Sequence, residues 1–263
     1  SEVLKSWREP MVVYPAKHAQ NEKTFLGLTI PENTNAQDSI TLALDQLMSV
    51  ASVGPFLSRQ LIQRFTTSNP SPAYISRVTQ VFNDGRYTLP NGTAVGGGLR
   101  GDLKATIAAI LLDRENLEPE APNTFGKLRE PVLRFTQWAR AFSAGTVTPE
   151  YTLELYDLFS TSNYGQGLAQ HPFSAPSVFN FYRPGYVPPG TDSGAAGMTV
   201  PELQIVTAET IPAYMNFITF FAMASTQHAD LSAYRELGGL TGVNFDPELA
   251  RTSFLPDYSY EKN

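Results

Sequence analysis

The sequence predicts a mainly α-helical protein: a single helical domain with long ordered loops rich in proline, glycine and aromatic residues, and one or two short β-hairpins. Residues that favour helix N-caps repeatedly stand directly before runs with apolar side chains at helical spacing. No alternation of strands and helices is visible, which argues against a Rossmann fold or a barrel. These two observations together indicate the fold class.

Composition narrows the classes of function. The chain has 263 residues, of which 42% are hydrophobic and 17% charged, as is typical of a globular protein. Its formal net charge of −6, without any run of basic residues, predicts no nucleic-acid partner. The sequence has no cysteine, which excludes disulfides, thiolate metal sites and cysteine nucleophiles. The most apolar window, 211–225, is too short to cross a bilayer, so no membrane span is predicted.

Three segments organise the chain. We expect an irregular or hairpin segment over 1–37, a helical domain over 38–237 and an irregular C-terminal tail over 238–263. In the first segment, the apolar runs MVVY and TFLGLTI flank the polar KHAQNEK, a pattern that predicts a small hairpin. The tail is rich in glycine and proline and has no strong periodic element.

The helices are predicted from caps and apolar spacing. Asp38 is the expected N-cap of a first helix that reaches residue 49, and a second helix fits 53–67 with a proline in its first turn. Ser71 is the expected cap of a third helix, with Pro72 at its first position and its end near residue 82. Further helices are predicted over 103–113, 131–142, 149–159 and 201–224, the last one kinked or split at Pro212.

The glycine-rich stretch GGGLRGD has three interpretations. A phosphate-binding loop would need a lysine followed by serine or threonine, which this stretch lacks. An integrin-type RGD is a second alternative. The apolar run LKATIAAILLD that follows favours the third, in which Asp102 caps a helix and accepts a hydrogen bond from a backbone amide two or three residues on.

Several stretches resemble a bacterial family catalogued as domain of unknown function 1800. They are HAQNEKTFLG, GPFLSRQLIQRFTTSNPSPAYISRVTQVF, RGDLKATIAAILLD, GKLREPVLRF and SAPSVFNFYRPGYVPPG, in this order. The resemblance implies a helical fold and an exported bacterial protein, periplasmic or extracellular. It also implies genes that often lie beside a second exported family, whose product is an expected partner. It supplies no catalytic residues and no cofactor.

Members of this family are considerably longer than 263 residues. We therefore expect the chain to be a fragment that lacks an N-terminal half and the extreme C-terminus. The missing half is then the first expected partner. The surface meant for it should expose apolar side chains.

A polar helix face is the first candidate binding site. Arg59, Gln60, Gln63 and Arg64 fall within an arc of about 140° when each residue advances by 100°. Two arginines and two amides side by side suit a carboxylate, sulfate or phosphate. The alternative is a solvated face, or one that forms ion pairs with neighbouring acids.

The stretch HPFSAPSVFNFYRPGYVPPG is the second candidate, with Asn180, Tyr182 and Arg183 as its polar residues. In an extended segment Phe179 and Phe181 point to one side. If they are exposed, the stretch is a platform for a carbohydrate or peptide. The favoured interpretation is a structural strap in which both phenyl rings are largely buried and the arginine bonds to the protein.

No motif identifies catalytic chemistry. The histidines His18, His171 and His228 are far apart in sequence, so no metal site is predicted. Nothing singles out a nucleophilic serine or a carboxylate pair, and whether the protein is an enzyme stays open. The sequence favours a binding or scaffolding role at the cell surface or in the periplasm. The alternative is a hydrolase acting on an extracellular polymer such as a polysaccharide.

Overall fold

The computed structural model describes residues 11–120, 124–144, 167–170 and 175–223, and the side chains of residues 220–223 are not described. These residues are mainly helical, with two small antiparallel strand pairs, which confirms the predicted fold class. The chain divides into two compact units. The first comprises Ser1–Phe65 and Pro70–Glu118, and the second comprises Thr66–Asn69 and Pro119–Asn263. The predicted boundaries at 38 and 237 stay a prediction.

The N-terminal hairpin lies elsewhere than predicted. It pairs β1 (Lys23–Phe25) with β2 (Leu28–Ile30), so that both strands come from the single run TFLGLTI. Between them Leu26 and Gly27 have φ values of +46° and +80°, the left-handed conformation that two-residue hairpin turns require. The pairing with MVVY was wrong because this tight turn closes the hairpin ten residues later.

The helices of the first unit follow the predicted order. Their bounds are Ala36–Ser49 (α1), Val53–Phe65 (α2), Pro72–Asp84 (α3), Leu103–Leu111 (α4) and Arg114–Leu117 (α5).

Two helix starts show how local the capping signals are. Ser71 caps α3 as predicted, because its hydroxyl accepts a hydrogen bond from the amide of Tyr74 at 3.0 Å. The cap of α1 is Asn35 and not Asp38. The Asn35 side chain accepts from the Asp38 amide at 2.9 Å, and the Asp38 carboxylate accepts from the Asn35 amide group at 2.6 Å. This reciprocal pair works like a capping box.

Ile62 of α2, Tyr74 and Val78 of α3, and Ile110 of α4 form the core of the first unit. All four side chains are fully excluded from solvent. The Tyr74 hydroxyl donates to the carbonyl oxygen of Ile110 at 2.6 Å, so the ring is buried without leaving its polar tip unsatisfied. The packing of α2, α3 and α4 therefore fixes which side of α2 faces solvent.

The end of α3 is joined to the glycine-rich loop. Gly85 ends the helix in the left-handed conformation, and a Cβ there would lie 2.0 Å from the carbonyl oxygen of Leu99. The predicted small hairpin in this loop is confirmed as β3 (Tyr87–Thr88) paired with β4 (Ala94–Val95).

Arg100 then connects this loop to the end of α1. Its guanidinium donates to the carbonyl oxygens of Met48 at 2.8 Å and Val50 at 3.1 Å, and to the side chain of Asn83. Carbonyls at the end of a helix lack partners within the helix, so a cation is well placed there.

Asp102 caps α4, as predicted. One carboxylate oxygen accepts from the amide of Ala105 at 2.9 Å and the other from the amide of Gly97 at 2.8 Å. These backbone hydrogen bonds, first Ala105 and then Gly97, lower the pKa of Asp102 below its ordinary value of 3.8. The Asp102 carboxylate is therefore bonded to backbone amides, which favours the helix cap over the integrin-type interpretation.

The second unit contains α6 (Pro131–Ala141), the short α7 (Asp192–Ala195), a 3₁₀ turn (Pro201–Ile205) and α8 (Thr210–Met223). The break expected at Pro212 lies earlier, at 206–209. Pro212 is in the first turn of α8, where its missing amide hydrogen has no partner to lose. The helix predicted over 149–159 lies outside the described residues.

Aromatic side chains pack α6 against α8. The ring of Phe135 meets that of Phe217 edge to face at 5.0 Å and is stacked on Trp138 at 5.7 Å. The guanidinium of Arg134 lies 4.6 Å from the centre of the Tyr214 ring. The ring of Phe135 and the guanidinium of Arg134 therefore both contact α8.

Within the described residues, no helix alone has the length and apolar character to cross a membrane. The consecutive helices α1 and α2 reach that length only together, and they meet at an angle of 78°.

The cap at Asp102 predicts a pH dependence. Because its folded pKa is lowered, the carboxylate stabilises the fold fully above the ordinary value near 3.8, and this contribution is lost as the pH falls through the lowered pKa. Denaturant unfolding at a series of pH values should show a difference between the wild type and Asp102→Asn that shrinks below pH 3.8. A difference that does not change with pH would contradict the assignment.

Candidate functional site

Residues 177–180 form a tight turn that we call the apolar turn. Ser177 and Asn180 pair as an isolated antiparallel bridge, and the Ser177 hydroxyl accepts from the amide of Phe179 at 3.1 Å. Asn180 has a φ of +67°, a conformation that asparagine tolerates better than most residues. The turn displays Val178 at 96% exposure and Phe179 at 54%.

Tyr182 anchors the apolar turn to the second unit. It is buried, and its hydroxyl donates to one carboxylate oxygen of Glu130 at 2.6 Å. The other oxygen of Glu130 accepts from the side-chain amide of Gln170 at 2.5 Å, and the Gln170 oxygen accepts from the Val132 amide at 3.1 Å. Glu130 stands directly before α6, where the positive end of the helix dipole favours a negative charge.

The strap prediction is half right. Tyr182 packs with Ala169 and Ile205, and the half-buried Phe181 covers this cluster. Phe179, predicted to be buried with Phe181, is exposed because the turn at 177–180 breaks the alternation of an extended strand.

Arg183 is exposed, so the expected buried guanidinium is also wrong. Its backbone amide donates to the side-chain oxygen of Gln204 at 2.8 Å. Of the predicted polar residues in this stretch, Tyr182 is therefore an anchor, Asn180 shapes the turn, and the Arg183 side chain lies at the surface.

Glu202 is a second buried carboxylate of this unit. It accepts from the hydroxyl of Ser68 at 2.7 Å and lies 3.4 Å from the ammonium group of Lys127. The Thr199 hydroxyl in turn donates to the carbonyl oxygen of Ser68 at 2.9 Å. Sequence reasoning included Glu202 among many acids, and nothing in its neighbours identified its partners.

The polar face of α2 is turned partly inward. Gln63 is buried, Arg59 and Gln60 are half-buried, and Arg64 is exposed. By the 100° step Arg59 points between Ile62 and Gln63, which are the two buried residues of the last turns. Gln63 and Arg64 have interactions of their own. The binding of an anion by these four residues stays a prediction.

The Nε atom of Arg59 is buried, and no atom of the described residues accepts a hydrogen bond from it. The wholly buried hydroxyl of the neighbouring Ser58 has no such partner within the same ranges either. Buried polar atoms without partners are rare in folded proteins and call for a physical explanation.

A contrasting arginine is Arg77, whose guanidinium forms a fork with the carboxylate of Asp113 through two bonds of 2.7 Å. This hydrogen-bonded partner raises the pKa of Arg77 above its ordinary value. The hydroxyl of the α3 cap, Ser71, donates to Glu115 at 2.5 Å, which connects α3 to α5. The charged side chains of Arg77, Asp113 and Glu115 are therefore bonded within the first unit, and their role is structural.

The helix α1 carries several exposed apolar side chains. Within this helix only Ser39 is buried. Five large apolar side chains of α1 are exposed by 37–56%, and the four that share one side of the helix form what we call the α1 stripe: Ile40, Leu44, Leu47 and Met48. The prediction of an apolar surface meant for a missing half named no residues, and it stays a prediction.

No group of three or more potential metal ligands lies together in the described ranges. The Nε2 atom of His18 is 3.2 Å from the carbonyl oxygen of Thr34 and 3.5 Å from the hydroxyl of Ser39, so it joins the hairpin region to α1. His171 and His228 lie outside the described residues, and the absence of a metal stays a prediction.

Comparison with known proteins gives one family. The family model described as "Protein of unknown function (DUF1800)" matches residues 4–242. A search of the curated proteins and a search of the solved structures each returned no match.

The anchor and the apolar turn should respond differently to substitution. Tyr182→Phe leaves one oxygen of the buried Glu130 without this donor, so it should lower the free energy of unfolding by about 1–3 kcal/mol. The matched change Phe179→Ala, at an exposed position of the same segment, should stay within about 0.5 kcal/mol of the wild type. Urea unfolding followed by tryptophan fluorescence measures both. Equal destabilisation by the two variants would show that Phe179 is packed after all.

Proposed function

Because the chain belongs to the DUF1800 family, for which no function is known, we propose a function from its surface: it is a binding module that docks a protein partner on the α1 stripe. We place this binding or scaffolding role at the bacterial cell surface or in the periplasm, on the resemblance to an exported family. The single observation that carries the proposal is the exposure of the α1 stripe.

The geometry of the stripe is that of a docking helix. By the 100° step Ile40, Leu44, Leu47 and Met48 fall within an arc of about 100°. Asp45 and Asp38 lie about 60° and 80° beyond the Met48 edge of this arc, so a partner that covers the stripe does not need to bury their charges. Apolar side chains spaced by three and four residues are the usual contacts of a helix that lies in a groove of another protein.

Energetics favour a covered stripe. A helix of fourteen residues is marginal in water by itself, and α1 has a single buried residue to hold it in place. Complete burial of a leucine or isoleucine side chain contributes about 1.5–3 kcal/mol, and these side chains still have roughly half of that to gain. Contiguous apolar surface of this kind marks interaction sites on soluble proteins.

A hydrolase is the competing hypothesis, and it draws less support. Its acid or base would come from a carboxylate in a cleft, whereas Glu130 and Glu202 are bonded to tyrosine, glutamine, serine and lysine side chains of the same unit. A screen of the full chain against generic ester, glycoside and phosphate substrates checks the point. Turnover there would favour the hydrolase over the binding module.

Site-specific photocrosslinking tests the docking surface. A benzophenone amino acid at Leu44, within the stripe, should give a crosslinked protein adduct in cells of the source organism. The same probe at Asp45, the next residue and about 100° further round the helix, should give little. The adduct formed from position 40 should disappear with Leu44→Glu and persist with the control Leu42→Glu, an exposed leucine about 160° from Leu44 around the helix.

The crosslinks from positions 44 and 45 test the proposal because only side chains on one side of α1 belong to the stripe. Equal adducts from positions 44 and 45, no adduct from either, or crosslinks to lipid only would each overturn the proposal. Both test positions are exposed, so the substitutions should not disturb the core of Ile62, Tyr74, Val78 and Ile110.

A further inference from the structure

We propose that Arg59 of α2 binds a single oxyanion group, a carboxylate or a phosphate, with Gln60 beside it. This site is independent of the α1 stripe, since it involves another helix and a different chemistry. The argument begins with the position of Arg59, which points between the buried side chains of Ile62 and Gln63 and is itself half-buried.

An arginine in this position needs acceptors. A guanidinium presents five N–H donors in a planar fork and has no acceptor of its own. The Nε atom of Arg59 is shielded from water, and no acceptor among the described residues bonds to it. Burial thus removes the water that would satisfy this donor, and the described part of the protein supplies no replacement.

Other half-buried arginines of the first unit have hydrogen-bond acceptors for their Nε atoms. Arg77 places its Nε and one terminal nitrogen on the two oxygens of Asp113. Arg100 distributes its nitrogens over the carbonyl oxygens of Met48 and Val50 and the side chain of Asn83. In both cases Nε has a partner at 2.7–2.8 Å. Arg59 departs from this pattern, so its open Nε reflects its own site and is not general to the unit.

The geometry of the Arg59 guanidinium indicates the kind of ligand that would bind to it. The Nε and a terminal nitrogen of arginine are spaced to bond two oxygens of one carboxylate or phosphate group, as the contact of Arg77 with Asp113 illustrates. Gln60 lies one residue on, at the half-buried edge of the same face, where its amide can donate to a third oxygen.

Titration calorimetry of the full chain with sodium phosphate and with sodium acetate, at constant ionic strength set with sodium chloride, tests the site. Wild type should bind at least one of the two anions saturably, at one equivalent. Arg59→Gln should weaken that binding by about tenfold or more, because a charge-assisted bidentate contact is lost. Arg59→Lys keeps the charge and loses the fork, so it should also weaken binding.

Arg114→Gln is the matched control, because it removes an equal charge at an exposed position of the same unit. It should bind as the wild type does. Binding of phosphate alone or of acetate alone supports the site and assigns its ligand class. Three results would overturn it: no saturable binding by the wild type, binding by both Arg59 variants as tight as that of the wild type, or a loss in Arg114→Gln equal to that in Arg59→Gln. Circular dichroism checks that each variant is folded. If Arg59→Gln does not fold, the binding measured for Arg59→Lys tests the site.

Discussion

A carboxylate can leave water only if protein donors replace the water that it loses, and this constraint organises both units. In the first unit Asp113 receives the fork of Arg77, and α3 is thereby joined to the start of α5. In the second, Glu130 receives Tyr182 and Gln170, which hold the segment that carries the apolar turn. Where protein donors bond to the buried carboxylate in this way, its role is structural. At Arg59, where a buried donor has no acceptor among the described residues, we look for a ligand.

Apolar surface obeys the complementary rule. The side chains of Ile62, Tyr74, Val78 and Ile110 are removed from water by the packing of three helices, and this packing fixes α2. The helix α1 keeps its leucines outside that core, and the apolar turn keeps Val178 outside the cluster around Tyr182. Each unit therefore combines a packed apolar core with apolar groups that it leaves at the surface, and the second feature is the one expected of a protein that associates with others.

Sequence reasoning succeeded where the determining contact is short. The caps at Ser71 and Asp102 each bond to an amide three residues away, and the helices they begin lie as predicted. It failed where two local options compete: Asn35 and Asp38 both suit a cap, and the turn at Leu26 decides the hairpin. The pairing of Glu130 with Tyr182, 52 residues apart, has no signature in either neighbourhood, because only the folded chain brings the two together. The partial burial of Arg59 likewise depends on how α3 and α4 pack against α2, which the residues next to Arg59 in the sequence do not show.

The bond between Ser68 and Glu202 has a consequence for synthesis of the chain. It closes a loop of 134 residues, while the partners in the core of the first unit are at most 48 residues apart (Ile62 to Ile110). Loop closure of this length is slow, and domains form as the ribosome releases their parts. The first unit can therefore complete its core early in translation, whereas residues 66–69 must wait for Glu202. During that interval Ser68 and Lys127 lack the contact that Glu202 later supplies, so the second unit is completed after the first and its apolar side chains stay open to aggregation for longer.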